Sequence, residues 1–173
     1  MKHSEFIKNI IPIVQELQEK KENNISEKEI QDKIIERFNF QKHRCLCAKK
    51  EREGRFDIVI YHKDKPESIY ELKTYFKATE KIRESQIGQI KKDLYKLYEQ
   101  SNETLKAFFV MIISTELMED LREKDPSNFL VLPHNPRTKI PIRFILKEFE
   151  IECRKRYDCK NFSILSWRIK HDK

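Results

Sequence analysis

The chain has 173 residues, long enough for one domain with a sizeable core, and only two glycines and six prolines, too few for a low-complexity or disordered chain. Charged residues make up 38% of it and leave a balance of +7, which favours a polyanionic partner over an acidic one. No long apolar run opens the sequence, so neither a signal peptide nor a membrane span is expected, and the four cysteines point to reduced thiols in a cytoplasm.

Residues 5–22 read as an amphipathic helix, because Phe6, Ile7, Ile10, Ile13, Val14 and Leu17 recur at helical spacing, with Pro12 able to kink it. Asn23 and Asn24 mark a loop. A second helix is expected over 26–38, with Ser26 as N-cap and Glu29 three places on completing a capping box. Its apolar stripe is Ile30, Ile34 and Phe38, and helical steps place Glu27 and Gln31 on or beside that stripe. The helix dipole favours such an inward carboxylate by only about 0.3–1 kcal/mol.

Between Phe40 and Arg55 the chain is basic, with Lys42, His43, Arg44, Lys49, Lys50 and Arg52, and Cys45 to Ala48 reads as the first strand. His43, Cys45 and Cys47, with Cys153 and Cys159 further on, could be read as a metal cluster. Buried or idle thiols are the better expectation, since no C-x-x-C is present.

Asp57–Tyr61 and Ser68–Lys73 are rich in Ile, Val and Tyr and read as paired strands around a polar turn. Alternation puts Glu71 and Lys73 on one face, with Tyr70 and Leu72 on the other. By the same rule Asp57 shares a face with Val59 and Tyr61, opposite Phe56, Ile58 and Ile60. If the strands form a hairpin, two carboxylates and an ammonium converge. Carboxylates about 4 Å apart repel by roughly 4 kcal/mol at an effective dielectric near 20, and a divalent cation or a proton removes that cost. Hard oxygen ligands suit Mg²⁺. The alternative is an ordinary cross-strand ion pair on a surface hairpin, which contributes little.

A long helix is expected from about Ala78 to Gln100, its core face defined by Ile90, Leu94, Leu97 and Tyr98, with Gln86, Gln89 and Asp93 along an adjacent stripe. The apolar run Leu105–Ile113 reads as a buried central strand, parallel to its neighbour because a helix precedes it. Ser114 caps a short helix over 115–124, and residues 129–132 form an apolar run. A proline-punctuated loop follows, with His134, Arg137, Lys139 and Arg143 as candidate nucleic-acid contacts. A helix from Arg143 to Tyr157, turning Phe144, Ile145, Phe149 and Cys153 inward, and a strand over 161–169 close the chain.

Asp57 followed by Glu71-x-Lys73 at the end of a strand resembles the PD-(D/E)xK nuclease superfamily, which has the restriction-endonuclease-like fold; Phe56 stands where the usual proline would. The resemblance covers about residues 26–115. It implies an α/β core, a mixed central β-sheet flanked by α-helices, within a single domain to which helix 5–22 and segment 143–169 are additions. It also implies Mg²⁺-dependent hydrolysis of DNA phosphodiester bonds, with Mn²⁺ able to substitute. On this resemblance Asp57, Glu71 and the Leu72 carbonyl hold the metal, and Glu27 completes the site. Lys73 acts on the attacking water, assisted by Gln86 or Gln89, although this pair departs from the Gln-x-x-x-Tyr pattern of one branch. An iron–sulfur cluster, found in some members with one cysteine before the core and three after, is not expected from the two-and-two split here. Lys42, Arg44, Lys49, Lys50, Arg137, Lys139 and Arg143 are the candidate DNA contacts. A restriction or defence role, a repair or recombination nuclease such as a junction resolvase, and a non-catalytic nucleic-acid-binding module all fit the pattern; RNA as substrate and a homodimer stay open.

Overall fold

The computed structural model describes residues 3–21, 24–40, 46–49, 56–63, 65–76, 84–102, 104–117, 141–142 and 151–169. Helices α1 (His3–Lys21) and α2 (Glu27–Phe40) precede an antiparallel meander of β1 (Leu46–Lys49), β2 (Ile58–His62) and β3 (Lys65–Tyr75). Helix α3 (Glu84–Gln100) then leads to β4 (Lys106–Ser114), and β5 (Pro141–Ile142), β6 (Ile151–Asp158) and β7 (Phe162–Ile169) complete one sheet of order β1-β2-β3-β4-β7-β6-β5. The fold is α/β, with a mixed sheet flanked by helices.

Strand β4 lies at the centre, parallel to β3 from Ser68↔Lys106 to Tyr75↔Ile113 and antiparallel to β7. A strand covered on both faces has no need to alternate, which is why residues 107–113 are apolar without interruption. On one face α3 packs Ile90, Leu94 and Leu97 against Val59, Ile69, Phe109, Met111 and Trp167. On the other, α1 and α2 cover Ile58, Ile60, Tyr70, Leu72, Phe108 and Val110. The first turn of α1 is fastened there by His3, whose ring stacks 4.0 Å from that of Phe108 and whose Nε2 lies 2.8 Å from Ser166 Oγ. α1 runs through Pro12 without ending.

Local signals set several boundaries. Ser26 and Glu29 form the capping box: the Ser26 N–H and hydroxyl both donate to Glu29 Oε2, at 3.0 and 2.9 Å, and the Glu29 N–H donates back to Ser26 Oγ at 3.3 Å. After β4 the Leu117 N–H donates to Ser114 Oγ at 3.2 Å, a helix cap at the expected residue.

The expected helix from Arg143 to Tyr157 is corrected. Residues 151–158 are strand β6, joined to β7 by a tight turn that the Cys159 N–H closes on the Phe162 carbonyl at 2.8 Å. The register runs from Glu152↔Arg168 to Asp158↔Ser163, and Arg154 is the extra residue where it shifts. Pairing with β7 overrides the helical propensity of Glu-Cys-Arg-Lys-Arg, so Arg154, Lys155 and Arg156 belong to a strand and not to a helix terminus. Residues 143–150, residues 78–83 of the expected 78–100 helix, the remainder of the 115–124 helix, the run 129–132 and the basic residues 134–139 lie outside the described residues. Among the described residues no helix is long and apolar enough to cross a membrane.

Phe109 on β4 has no exposed surface. Phe109→Ala is expected to lower stability by about 3–5 kcal/mol through lost transfer energy and the cavity left behind, read from urea denaturation midpoints.

Candidate functional site

Strand β3 is longer than β2, and the overhang creates the site. Their pairing ends at Ile58↔Tyr70, so β3 runs on to Tyr75 without β2 beside it. Asp57, one residue before β2, turns its side chain into the gap, and the Leu72 N–H donates to Asp57 Oδ2 at 2.7 Å. In a strand the N–H and C=O of one residue point to the same side, so the Leu72 carbonyl also turns toward this gap.

Glu71 and Lys73 share the α3 face with Ile69 and Tyr75, while Tyr70 and Leu72 pack on the opposite side, as alternation requires. Phe56 departs from the expected parity. It packs with Val59 and Ile69 on the α3 side, because residues 56 and 57 precede the strand and the bend at Asp57 breaks the alternation.

Helix α3 supplies the groups that meet them. Asp93 is only 4% exposed, and its Oδ2 lies 3.0 Å from Lys73 Nζ. Lys96, one turn on, is ion-paired to Glu71 Oε1 and lies 3.7 Å from Asp93 Oδ1. Gln89 donates from Nε2 to Asp93 Oδ1 at 3.2 Å. From α2, Glu27 Oε2 lies 3.7 Å from Lys73 Nζ and Glu27 Oε1 accepts from Gln31 Nε2 at 3.3 Å. Charges of alternating sign therefore run from Glu71 through Lys96, Asp93 and Lys73 to Glu27.

Asp57, Glu71, Lys73, Leu72 and Glu27 are thus brought together, with Gln89 acting through Asp93. Glu27 faces Lys73 rather than a second carboxylate. Gln86 lies on α3 and Lys49 on the edge strand β1, but their side chains are outside the described set, as are those of Cys47 and Cys153. Lys42, Arg44, Cys45, Lys50, Arg137, Lys139 and Arg143 lie wholly outside the described residues. Cys159 is a free thiol in the β6–β7 turn. Asp93 and Lys96 were not singled out from the sequence as site residues. The available signal was positional, since both flank the apolar stripe Ile90, Leu94 and Leu97, and a buried charge beside such a stripe requires a partner.

Four carboxylates against two ammoniums leave the site with two excess negative charges when all are ionised. Burial, reinforced by the charge of Asp57, pushes the Glu71 carboxyl up to about 8 despite the Lys96 ammonium beside it. Burial likewise raises Glu27 to about 7, with Lys73 pulling it down and Asp57 and Asp93 pushing it up. Burial alone would lower the Lys73 ammonium; Glu27, Asp93 and Asp57 outweigh it and hold the group above its ordinary range. Lys73 is therefore held as an ammonium in the cation-free site.

The donor set suits a hard divalent cation in one specific way. Among the described residues no three His, Cys, Asp or Glu side chains close into a metal-holding group. Mg²⁺ does not require one, since one or two carboxylates with water and phosphate oxygens satisfy it. Asp57, Glu71 and the Leu72 carbonyl give such a partial set. Glu71 Oε1 and Asp93 Oδ2 are buried and paired to Lys96 and Lys73, and among the described residues no neutral donor reaches either oxygen.

Comparison with protein-family models, with curated proteins and with solved structures gives no match for this chain.

Because the folded-state value of Glu71 lies above its ordinary 4.5, the folded protein binds more protons than the unfolded chain between the two values. Stability without cation is therefore full below the unfolded value and is lost as pH rises toward 8. A fall in melting temperature of about 5 °C is expected between about pH 6 and about pH 9, and Glu71→Gln should remove most of it. A flat wild-type profile in scanning calorimetry with chelator present would contradict this charge balance.

Proposed function

We propose that this chain is a Mg²⁺-dependent nuclease of the PD-(D/E)xK type, with a restriction-endonuclease-like core, that hydrolyses phosphodiester bonds in DNA. The observation that carries the reading is the convergence of Asp57, Glu71 and Lys73 at the overhang between β2 and β3, with two excess negative charges around them. Asp57, Glu71 and the Leu72 carbonyl are the residues that would hold the cation, with Glu27 at the rim beside Lys73. A bound Mg²⁺ supplies charge neutralisation at the phosphate and lowers the pKa of its water ligand, and Mn²⁺ can serve in its place.

The chain's own residues do the remaining work. Lys73 stays protonated, so it contributes a positive charge and hydrogen-bond donors to the attacking water and to the phosphoryl oxygens as charge develops there. Asp93 fixes where that ammonium sits, at 3.0 Å, and Gln89 in turn fixes Asp93. Glu27 holds Lys73 from the opposite side, through α2. The basic balance of the chain, +7, supports a polyanionic substrate. Restriction or defence, and repair or recombination of the junction-resolvase kind, would share this chemistry. A panel of plasmid, single-stranded, branched and RNA substrates separates them.

The decisive experiment incubates the protein with plasmid and with single-stranded DNA in Mg²⁺, in Mn²⁺ and in EDTA. Cleavage is expected with either metal and not with EDTA. Asp57→Asn preserves an acceptor for the Leu72 N–H, so it tests the carboxylate without breaking the fold. Asp57→Asn, Glu71→Gln and Lys73→Met are each expected to lower single-turnover cleavage by at least about a hundredfold. Duplex binding should persist in all three and weaken steeply as salt rises. Full activity in Asp57→Asn or Glu71→Gln would remove the assignment.

Glu27 and Glu29 provide a paired comparison on one helix turn. Glu27→Gln is expected to reduce cleavage by roughly tenfold through the loss of a charge partner of Lys73. Glu29→Gln keeps the capping acceptor and removes only a negative charge at the helix start, at a cost of about 0.3–1 kcal/mol in thermal stability. Equal losses of activity at matched stability would take Glu27 out of the site.

A further inference from the structure

Glu71 is 2% exposed on the inner part of β3, and the ammonium paired to it comes from α3, not from its strand neighbour Lys73. Lys73 is engaged with Asp93 and Glu27. The Lys96 side chain is 30% exposed, so it reaches a buried oxygen from a half-solvated position. It also has two other stations within reach: Asp93 Oδ1 at 3.7 Å, and the face of the Phe56 ring, whose centroid lies 5.3 Å from Nζ. An ammonium over an aromatic face is held electrostatically. Lys96 can therefore leave Glu71 without being stranded.

We propose that Lys96 is a resident counter-cation that occupies Glu71 in the metal-free protein and leaves it, toward Asp93 and Phe56, when a small divalent cation enters between Asp57 and Glu71. The inference rests on the reading of those two carboxylates as the cation's ligands, and it adds that cation entry and ammonium release are one exchange. An ammonium and a dication sharing one buried carboxylate repel each other, and among the described residues no neutral donor holds Glu71 Oε1 in place once Lys96 moves. The exchange lowers the intrinsic cation affinity, because binding must displace an existing ion pair. It also delivers a second lysine to the α3 side of the site as the cation arrives.

The test measures cation binding without DNA. Mn²⁺ is titrated into wild type, Lys96→Met and Lys92→Met, with free aquo-Mn²⁺ followed by electron paramagnetic resonance. Lys92 is an exposed lysine of the same helix and controls for the bulk loss of one positive charge. Lys96→Met is expected to bind about tenfold more tightly than wild type, and Lys92→Met to match wild type. The rise in melting temperature caused by Mn²⁺ should also be larger in Lys96→Met, since tighter binding to the folded state stabilises more. If Lys96→Met is unfolded without cation, Mn²⁺ is expected to restore its circular dichroism spectrum.

Equal or weaker binding in Lys96→Met, the same gain in Lys92→Met, failure of Mn²⁺ to restore an unfolded Lys96→Met, or no Mn²⁺ binding by either wild type or Lys96→Met would each overturn the exchange. The nuclease reading fails by a different sign, namely wild type that binds cation and cleaves no DNA.

Discussion

Glu71 has almost no contact with water, yet it lies on a strand hydrogen-bonded within the sheet and covered by α3. Taking a carboxylate out of solvent costs several kcal/mol even after relaxation, so its surroundings must answer the charge. Lys96 answers it from α3, whose Ile90, Leu94 and Leu97 pack on the same sheet. Asp93 then answers Lys96 and Lys73 together, and Lys73 reaches Glu27 at the start of α2. One buried carboxylate thereby ties together helices that cover opposite faces of the sheet. Such a network is not what stability alone would select, because well-packed apolar residues in place of buried ion pairs are often neutral or stabilising by about 1–4 kcal/mol.

The location follows from strand lengths. Strand β3 has 11 residues and β2 has five, so the sheet cannot pair the last part of β3 on that side. Unpaired backbone at this point would be costly if buried, and the Asp57 carboxylate covers part of it by accepting the Leu72 N–H. The same overhang lies toward the carboxyl end of the parallel pair β3–β4. Open α/β sheets commonly place their ligands in that position.

What the sequence revealed and what it hid divide along a physical line. The face shared by Glu71 and Lys73, the Ser26 cap and the buried character of β4 depend on local periodicity or turn chemistry, and these were legible. The inward placement of Gln31 beside Glu27 was legible for the same reason. Strand β6 was not, because Phe144, Ile145, Phe149 and Cys153 fall at helical spacing and its strand state is imposed by β7, which lies later in the chain. Phe56 lies on the opposite face from the one strand alternation predicts, because the bend at Asp57 ends the alternation. Asp93 and Lys96 follow the helix period faithfully, but nothing in their own segment says that Glu71 and Lys73 will lie beneath them. That information resides in the β3–α3–β4 crossover, which places the α3 stripe over β3.

Charge balance connects the metal-free protein to the proposed active one. In the cation-free site Glu27, Asp93 and Asp57 favour the charged form of Lys73, so the proposed reaction starts from an ammonium there. Glu71 and Glu27, raised to about 8 and about 7, are the groups whose protons are most easily exchanged near neutrality. Without a cation, the Lys96 ammonium at Glu71 and proton uptake by these carboxyls share the task of answering the excess negative charge. A dication at Asp57 and Glu71 would relieve the same two charges and release the protons, since metal ligands must be deprotonated. Proton and cation are therefore competitors for one electrostatic vacancy. Full ionisation of the four carboxylates belongs to the cation-bound form of the proposed nuclease.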